Sequence, residues 1–439
     1  MLKIRNERLI SFSILCFMFM NLSSLSAATP GGGNSRRMQN ALDEDNNLNI
    51  GIPDFPRKVG KELPTVNQNK GIKAGILKLH PSFSSSFDFD DNIELANAER
   101  EKEKQDGYFT QRPALAAEMK VGNHRFEGGY GMEIQNFLKY PEENKINHLA
   151  YGLGEFNFND FQFIVEDNFE KTTSRLFSET SSRDHLLLNE VHVLGRYDRP
   201  KWASELGWTH NTIHHLTEDF KNSNYNEDII AVLGGYKILP KTLLLAEFDW
   251  GNVYYGQKVR AADQTYFQIL GGVRGEPTQN IELTVKAGLQ NRELDAAPGL
   301  GEPTDYQGLV ANADFLYRIT PADSLRFGYI RTVKTSTFFN SSWYREDKVY
   351  VSYRKRLFQK WYFTPAVSWQ MNEYPETATV GSETLRRSDH FVRAGASLRY
   401  QIKQWLWTGV AYNFQSRDSK FNSLDYDSNR LTVDLSLIY

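Results

Sequence analysis

Leu431-Thr432-Val433-Asp434-Leu435-Ser436-Leu437-Ile438-Tyr439 closes the chain. Leu431, Val433, Leu435, Leu437 and Tyr439 share one parity, and Thr432, Asp434, Ser436 and Ile438 the other. That is the period of a β-strand with one apolar face. The same alternation recurs on moving back through the chain. Leu406, Thr408, Val410, Tyr412 and Phe414 stand against Trp407, Gly409, Ala411, Asn413 and Gln415. Val392, Ala394, Ala396, Leu398 and Tyr400 stand against Arg393, Gly395, Ser397 and Arg399. Ile281, Leu283, Val285, Ala287 and Leu289 stand against Glu282, Thr284, Lys286, Gly288 and Gln290. The pattern holds from about Ala74 to Tyr439, in segments of 10–16 residues.

The connections alternate too. Short turns fall at Gly122-Asn123-His124, Asn159-Asp160, Asp198 to Lys201, Leu239 to Lys241, Thr278 to Asn280, Pro321 to Asp323, Leu357 to Lys360 and Lys403-Gln404. Longer polar loops fall at 95–107, 141–147, 173–185, 215–226, 258–264, 295–305, 334–342, 375–386 and 418–427. Eight turns and nine loops make seventeen connections, so the expectation is about 18 strands, with 16 also compatible. Short turns on one rim and long loops on the other mark an outer-membrane β-barrel. The predicted fold class is all-β: one antiparallel transmembrane barrel over 74–439, with both termini in the periplasm. A soluble sandwich would break into domains and would not sort its connections in strict turn. Lipid offers no partner to a free strand edge, so a membrane sheet must close. The final strand ending on aromatic Tyr439 fits the signal read by the barrel assembly machinery.

Residues 1–28 read as a signal peptide: basic Lys3, Arg5 and Arg8, an apolar core from Leu9 to Leu22, then Ser24, Ser26, Ala27 and Ala28. The single cysteine, Cys16, lies in that core without the preceding small residue a lipobox needs. Residues 29–73, with Gly31-Gly32-Gly33, Asn and Asp runs and Pro53, Pro56 and Pro64, read as a disordered periplasmic tail, with a short helix near Arg36–Asp43 as an option. Mean hydropathy is below zero, and beyond the N-terminus no stretch approaches the apolar length of a membrane helix. A barrel spends only alternate residues on lipid, so low hydropathy does not exclude it. Aromatics at 13% fit interfacial belts. Lys plus Arg (51) nearly balances Asp plus Glu (54), which gives no reason to expect a nucleic-acid partner.

If the apolar faces meet lipid, the other faces point inward. Basic candidates there are Lys286, Arg292, Arg318, Arg326, Arg354, Arg356, Arg393, Arg399 and Arg417. Acidic candidates are Glu127, Glu133, Glu155, Glu166, Glu170, Glu205, Glu247 and Asp249. Closing the sheet would set an acidic wall against a basic one, a transverse field that orients polar solutes. The plainer alternative is that opposite charges pair for rigidity. A barrel this wide can hold water. Tyr350, Tyr362 and Trp407 are candidate sugar-stacking platforms, or lumen filler and rim anchors.

Catalytic and metal chemistry is not legible. His210 and His214 share a strand face about 13 Å apart, too far to chelate one ion. His214-His215 with Glu218 reads as a polar loop rather than a metal site. Asp88, Asp90, Asp91 and Asn92 lack calcium-loop spacing and read as a strand end entering the first loop. Arg417-Asp418-Ser419 and Asp425-Tyr426-Asp427 frame the last loop and are expected to order it by side-chain hydrogen bonds. No Ser–His–Asp set, phosphate loop, dinucleotide fingerprint or zinc motif stands out, so no cofactor and no enzyme activity are expected. No folded domain large enough to plug the barrel is expected ahead of it.

Three features resemble a family of β-barrel porins that accompanies exopolysaccharide synthesis and export. One is Leu79-His80-Pro81-Ser82-Phe83 running into Phe87-Asp88-Phe89-Asp90-Asp91-Asn92-Ile93. Another is Gly234-Gly235-Tyr236 with Leu239-Pro240-Lys241 in a turn. The last is Tyr412-Asn413-Phe414, Arg417-Asp418-Ser419 and Asp425-Tyr426-Asp427-Ser428-Asn429-Arg430. The longer tail, and Tyr rather than Phe at the end, depart from that pattern. The resemblance implies a role in moving polysaccharide across the outer membrane, and supplies no catalytic residues. Three readings follow: a channel whose lumen arginines contact anionic sugar groups, a non-conducting scaffold that binds export partners, and an outer-membrane hydrolase. The partners expected are outer-membrane lipid and lipopolysaccharide, the assembly machinery, polysaccharide and periplasmic export proteins.

Overall fold

A computed structural model describes residues 71–97, 103–174, 179, 184–256, 262–295, 304–336, 341–380 and 383–438. The expected signal peptide, the tail up to residue 70 and Tyr439 lie outside the described residues. The strands in chain order are β1 (Ile72–Ala74), β2 (Leu77–Asp90), β3 (Asp106–Val121), β4 (His124–Phe137), β5 (Lys145–Phe158), β6 (Phe161–Ser174), β7 (Asp184–Asp198), β8 (Trp202–His215), β9 (Tyr225–Leu239), β10 (Thr242–Tyr255), β11 (Gln264–Thr278), β12 (Ile281–Leu294), β13 (Tyr306–Thr320), β14 (Asp323–Thr335), β15 (Trp343–Leu357), β16 (Trp361–Val380), β17 (Glu383–Lys403), β18 (Leu406–Ser419) and β19 (Tyr426–Ile438). From β2 to β19 each strand pairs antiparallel with the next, and β19 returns to pair with β2 from Arg430↔Asp90 to Ile438↔Ser82. Nineteen strands less β1 leave a closed ring of eighteen. Strands about 4.8 Å apart and tilted by about 40° close a ring on the order of 35 Å across.

β1 stands outside the ring count. It begins at Ile72, inside the stretch read as tail, and Ile72, Lys73 and Ala74 pair with Leu79, Lys78 and Leu77. That end of β2 lies beyond Ser82, the last partner of β19 among the described residues.

The eight expected turns fall between strands, at 122–123, 159–160, 199–201, 240–241, 279–280, 321–322, 358–360 and 404–405. In one of them Phe358 and Gln359 both hold left-handed φ, 47° and 65°, and Phe358 is 87% exposed. Eight of the nine expected long connections form the opposite rim. The ninth lies on that rim too but is paired strand rather than loop, since β16 runs to Val380 and β17 begins at Glu383, with Thr377↔Arg386 to Val380↔Glu383 in register. A register shift between Glu373 and Thr377 bends this hairpin. Its Tyr374 and Ala378 pack with Tyr344 and with Phe421 from the neighbouring loop, an apolar reason for polar-looking chain to stay paired.

The two faces of the ring differ chemically. Side chains such as Phe87, Leu206, Ile269, Val367 and Leu435 are exposed on one parity, as a lipid-facing surface requires. At the short-turn rim this face carries aromatics, with Trp202 edge-on to Tyr236 at 4.8 Å and Trp361 at 4.7 Å from Tyr400. The opposite parity carries the buried polar groups and points into the lumen. One arc departs from the expectation of a polar interior: on β7–β11 the inward residues Leu186, Leu188, Ile213, Tyr225, Ile229, Val253, Tyr255 and Tyr266 form an apolar cluster, and Ala203, Leu233, Leu243 and Leu245 a second.

Candidate functional site: the barrel lumen

Strand parity turns the charged candidates inward, and register decides their partners. Lys286 on β12 reaches over β11 to Glu247 on β10, Nζ to carboxylate at 2.7 and 2.9 Å, with both side chains buried. Glu205 on β8 receives Arg196 at 2.7 Å and Arg274 at 2.9 Å. Arg125 bridges Glu127 at 3.2 Å and Glu155 at 3.3 Å, and Arg112 meets Glu133 at 2.7 Å. Glu166 accepts from Asn168 at 2.9 Å, Asp249 from Gln268, and Glu170 lies half-buried on the same inward parity of β6. Glu127, Glu133, Glu155, Glu205 and Glu247 thus meet cations from their own or nearby strands, while Glu166 and Asp249 accept from amides.

The basic arc behaves alike. Arg318 pairs with Glu282 at 2.7 Å and Arg326 with Asp314 at 3.0 Å. Arg393 donates to Gln370 at 2.9 Å, and Arg399 pairs with Asp434 at 3.3 Å. Arg292 donates to Gln264 and lies over the Tyr266 ring at 4.4 Å. Arg417 donates to the Leu424 carbonyl and stacks on Tyr426 at 4.9 Å. Arg354 is half-buried and Arg356 exposed at the short-turn mouth. Nearby strands thus bring these charged side chains within hydrogen-bond reach of opposite charges, amides, carbonyls and aromatic rings.

The three aromatic candidates divide. Tyr362 and Trp407 are buried and pack on each other at 5.2 Å, with Arg399 over Trp407 at 5.5 Å. Tyr350 hydrogen-bonds Asp314. Among the histidines, His210 meets Asp228 at 2.9 Å, while His215 points inward to Asp184. No group of three or more metal-ligating side chains occurs among the described residues.

Residues not singled out from sequence complete the lumen. Lys334 pairs with Glu346 at 2.8 Å, and Gln370 donates to the same carboxylate at 2.9 Å. Lys348 lies beside them, buried. These share the inward parity of Arg354 and Arg356, so parity was a usable signal. Glu179 had none. It belongs to the connection between β6 and β7, yet it accepts from Ser336 beyond β14 and, through its carbonyl, from Arg387 of β17 at 2.8 Å. Arg387 is held by Asp389 at 2.6 Å. All four are buried, so Glu179 meets residues near the ends of β14 and β17, on the other side of the ring. The last loop is ordered by side chains: Ser419 N–H donates to Asp425 at 2.7 Å, and burial pushes the Asp425 carboxyl above its ordinary range.

Residues 207–439, more than half of the chain, match the family described as "Putative beta-barrel porin 2". The opening-strand residues that carried part of the resemblance lie outside that match. Among solved structures, the chain is similar to the outer membrane protein OpdK of Pseudomonas aeruginosa, at 12% identity over 82% of this chain and 99% of that one, with a TM-score of 0.45. Acinetobacter baumannii OccAB3 matches at 11% identity over 83% and 99%, with a TM-score of 0.44. Pseudomonas aeruginosa OccK9 (OpdG) matches at 10% identity over 83% and 98%, with a TM-score of 0.46. No curated protein matches the sequence.

Proposed function

Since the chain belongs to the beta-barrel porin 2 family, and is an outer-membrane porin-like barrel, we propose that it conducts hydrophilic solutes and takes part in exopolysaccharide export through its charged lumen. One observation carries this reading: a ring of eighteen strands turns its apolar parity outward and a dense set of charged and amide side chains inward. A ring that wide holds water, and paired charges on its wall keep donors and acceptors available to hydroxyl and carboxylate groups of a passing polymer. In this reading the short-turn rim and both termini are periplasmic, the long loops face lipopolysaccharide and the exterior, and the closing strand is read by the assembly machinery. Periplasmic export proteins and polysaccharide are the partners.

A second reading, a non-conducting scaffold, is favoured by the contacts of Glu179 with Ser336 and Arg387 across the lumen. Single-channel conductance of the refolded barrel separates the two. Arg354→Glu with Arg356→Glu reverses charge at the short-turn mouth, where Arg354 is half-buried and Arg356 exposed. A conducting wild type whose selectivity moves towards cations in this variant supports the channel. Silence in both, with folding shown by heat-modifiable gel mobility, supports the scaffold.

A further inference from the structure

On β14–β16 the lipid-facing parity turns from apolar to charged between neighbouring rows of the sheet. Tyr329, Val349 and Trp369 pair across the three strands. Arg331, Asp347 and Met371 form the next row towards the long loops, and Val333, Arg345 and Glu373 the row after it. All share the parity of the exposed Phe327, Val351 and Val367. Trp361 and Trp369 are 369 − 361 = 8 residues apart, about 20 Å along the axis of a tilted barrel. The charged rows therefore begin about 25 Å from the short-turn aromatics, the height at which a lipid-facing apolar band ends.

The central acid is satisfied there and the arginines are not. Asp347, with a side chain 5% exposed, accepts from Arg331 Nε at 2.6 Å, from Arg345 Nε at 3.1 Å and from the Tyr329 hydroxyl at 2.7 Å. Arg345 also donates to Glu373 through Nη2. Both terminal nitrogens of Arg331 and Nη1 of Arg345 make no hydrogen bond among the described residues, and the two side chains are 29% and 28% exposed. One carboxylate thus holds two guanidiniums side by side at the upper edge of the apolar band. Elsewhere on the outer face near this rim the acids are matched singly, Asp167 by Asn189 at 2.6 Å and Asp228 by His210 at 2.9 Å. We propose that Arg331 and Arg345 together bind a phosphate group of the glycolipid that forms the outer leaflet. A planar guanidinium meets phosphate oxygens in pairs, and the apolar row of Val349 and Trp369 lies where the acyl chains of the same lipid would run. The inference rests on the reading that the long loops face the exterior. It does not depend on whether the lumen conducts.

The test is binding of bis-phosphorylated lipid A to the refolded full chain in detergent, followed by native mass spectrometry. Wild type is compared with Arg331→Gln plus Arg345→Gln, and with Arg331→Gln alone, which leaves the Arg345–Glu373 pair in place. Folding of each is verified by heat-modifiable gel mobility. The double variant should bind about tenfold more weakly, as loss of hydrogen bonds to a charged group implies, and wild type should lose a similar factor when the lipid A is dephosphorylated. Equal binding by wild type and both variants, or equal binding of dephosphorylated lipid A, overturns the site. Phosphatidylglycerol bound as tightly, or lipid A displaced by millimolar inorganic phosphate, overturns the glycolipid as partner. Cysteine labelling of the two rims on intact cells separates the site from the orientation. Arginine-independent binding with the long loops outside overturns the site alone. Arginine-dependent binding with the rims inverted overturns the orientation and, with it, the proposal.

Discussion

Asp91 and Asn429, 338 residues apart, clamp one another. The Asn429 backbone N–H donates to Asp91 Oδ1 at 2.7 Å and its side-chain amide to Oδ2 at 2.8 Å, while Asp91 N–H donates to the Asn429 carbonyl at 3.2 Å. Around them Ser428 donates to Asp90 at 3.0 Å, Asn92 to the Asp427 carbonyl at 2.9 Å and Thr432 to Asp88 at 2.6 Å. The two terminal motifs behind the family resemblance are one structure, the fastening of the first ring strand to the last. Their chemistry belongs to closure, not to a ligand.

Removing that fastening should loosen the ring where closure costs most chain entropy. Asp91→Ala leaves two donors of Asn429 without their acceptor and is expected to cost about 1–3 kcal/mol. Asp91→Asn, which keeps an acceptor, should cost less. Urea unfolding in lipid vesicles measures both, and equal midpoints for wild type and Asp91→Ala would refute the closure role.

Glu247 and Lys286 provide a double-mutant cycle. Glu247→Ala strands a buried ammonium and should lose about 3–5 kcal/mol. Glu247→Leu with Lys286→Met replaces the pair by apolar volume and should recover most of the loss. Additive losses in the cycle would mean that the two groups do not depend on each other.

Gly251 tests the packing of the apolar arc. A Cβ there would lie 2.3 Å from Tyr266 Cζ, and Tyr266 donates to Glu227 at 2.8 Å while carrying the Arg292 guanidinium. Gly251→Val should displace the ring and destabilise the barrel by about 1–3 kcal/mol. Adding Tyr266→Ala should make the valine tolerable; if the double variant is no better than Gly251→Val, steric conflict with Tyr266 is not the cause.

The orientation is open to direct labelling. In a Cys16→Ser background, Asn422→Cys in a long loop should react with a membrane-impermeant maleimide on intact cells. Lys360→Cys in a short turn should react only after permeabilisation. The opposite pattern would invert the assignment of the rims.

Much of this architecture was legible in the sequence. Period-two alternation with turn residues such as Asn159-Asp160 and Gly122-Asn123 gave the strand number and the short rim, because each depends on neighbours in the chain. Residues 375–386 were misread as a loop because their pairing rests on Phe421 and Tyr344, from other strands' ends. Lys286 and Glu247 carry the parity expected of inward residues, but their partnership depends on register across β11, which no local pattern encodes. The contacts of Glu179 left no trace at all, since its partners Ser336 and Arg387 are distant in sequence. The leucines of β7 and β10 hid the apolar arc because both parities of those strands are apolar.

β1 has a consequence for how copies of the chain behave towards one another. Among the described residues the last partner of β19 on β2 is Ser82, which leaves Leu77 to Leu79 beyond it as a stretch whose backbone donors and acceptors another strand could take. β1 occupies Leu77, Lys78 and Leu79 from within the same molecule. The ring thus carries its own guard against polymerisation by strand exchange, set at the one seam where a cylinder made from a single chain has an edge to lend.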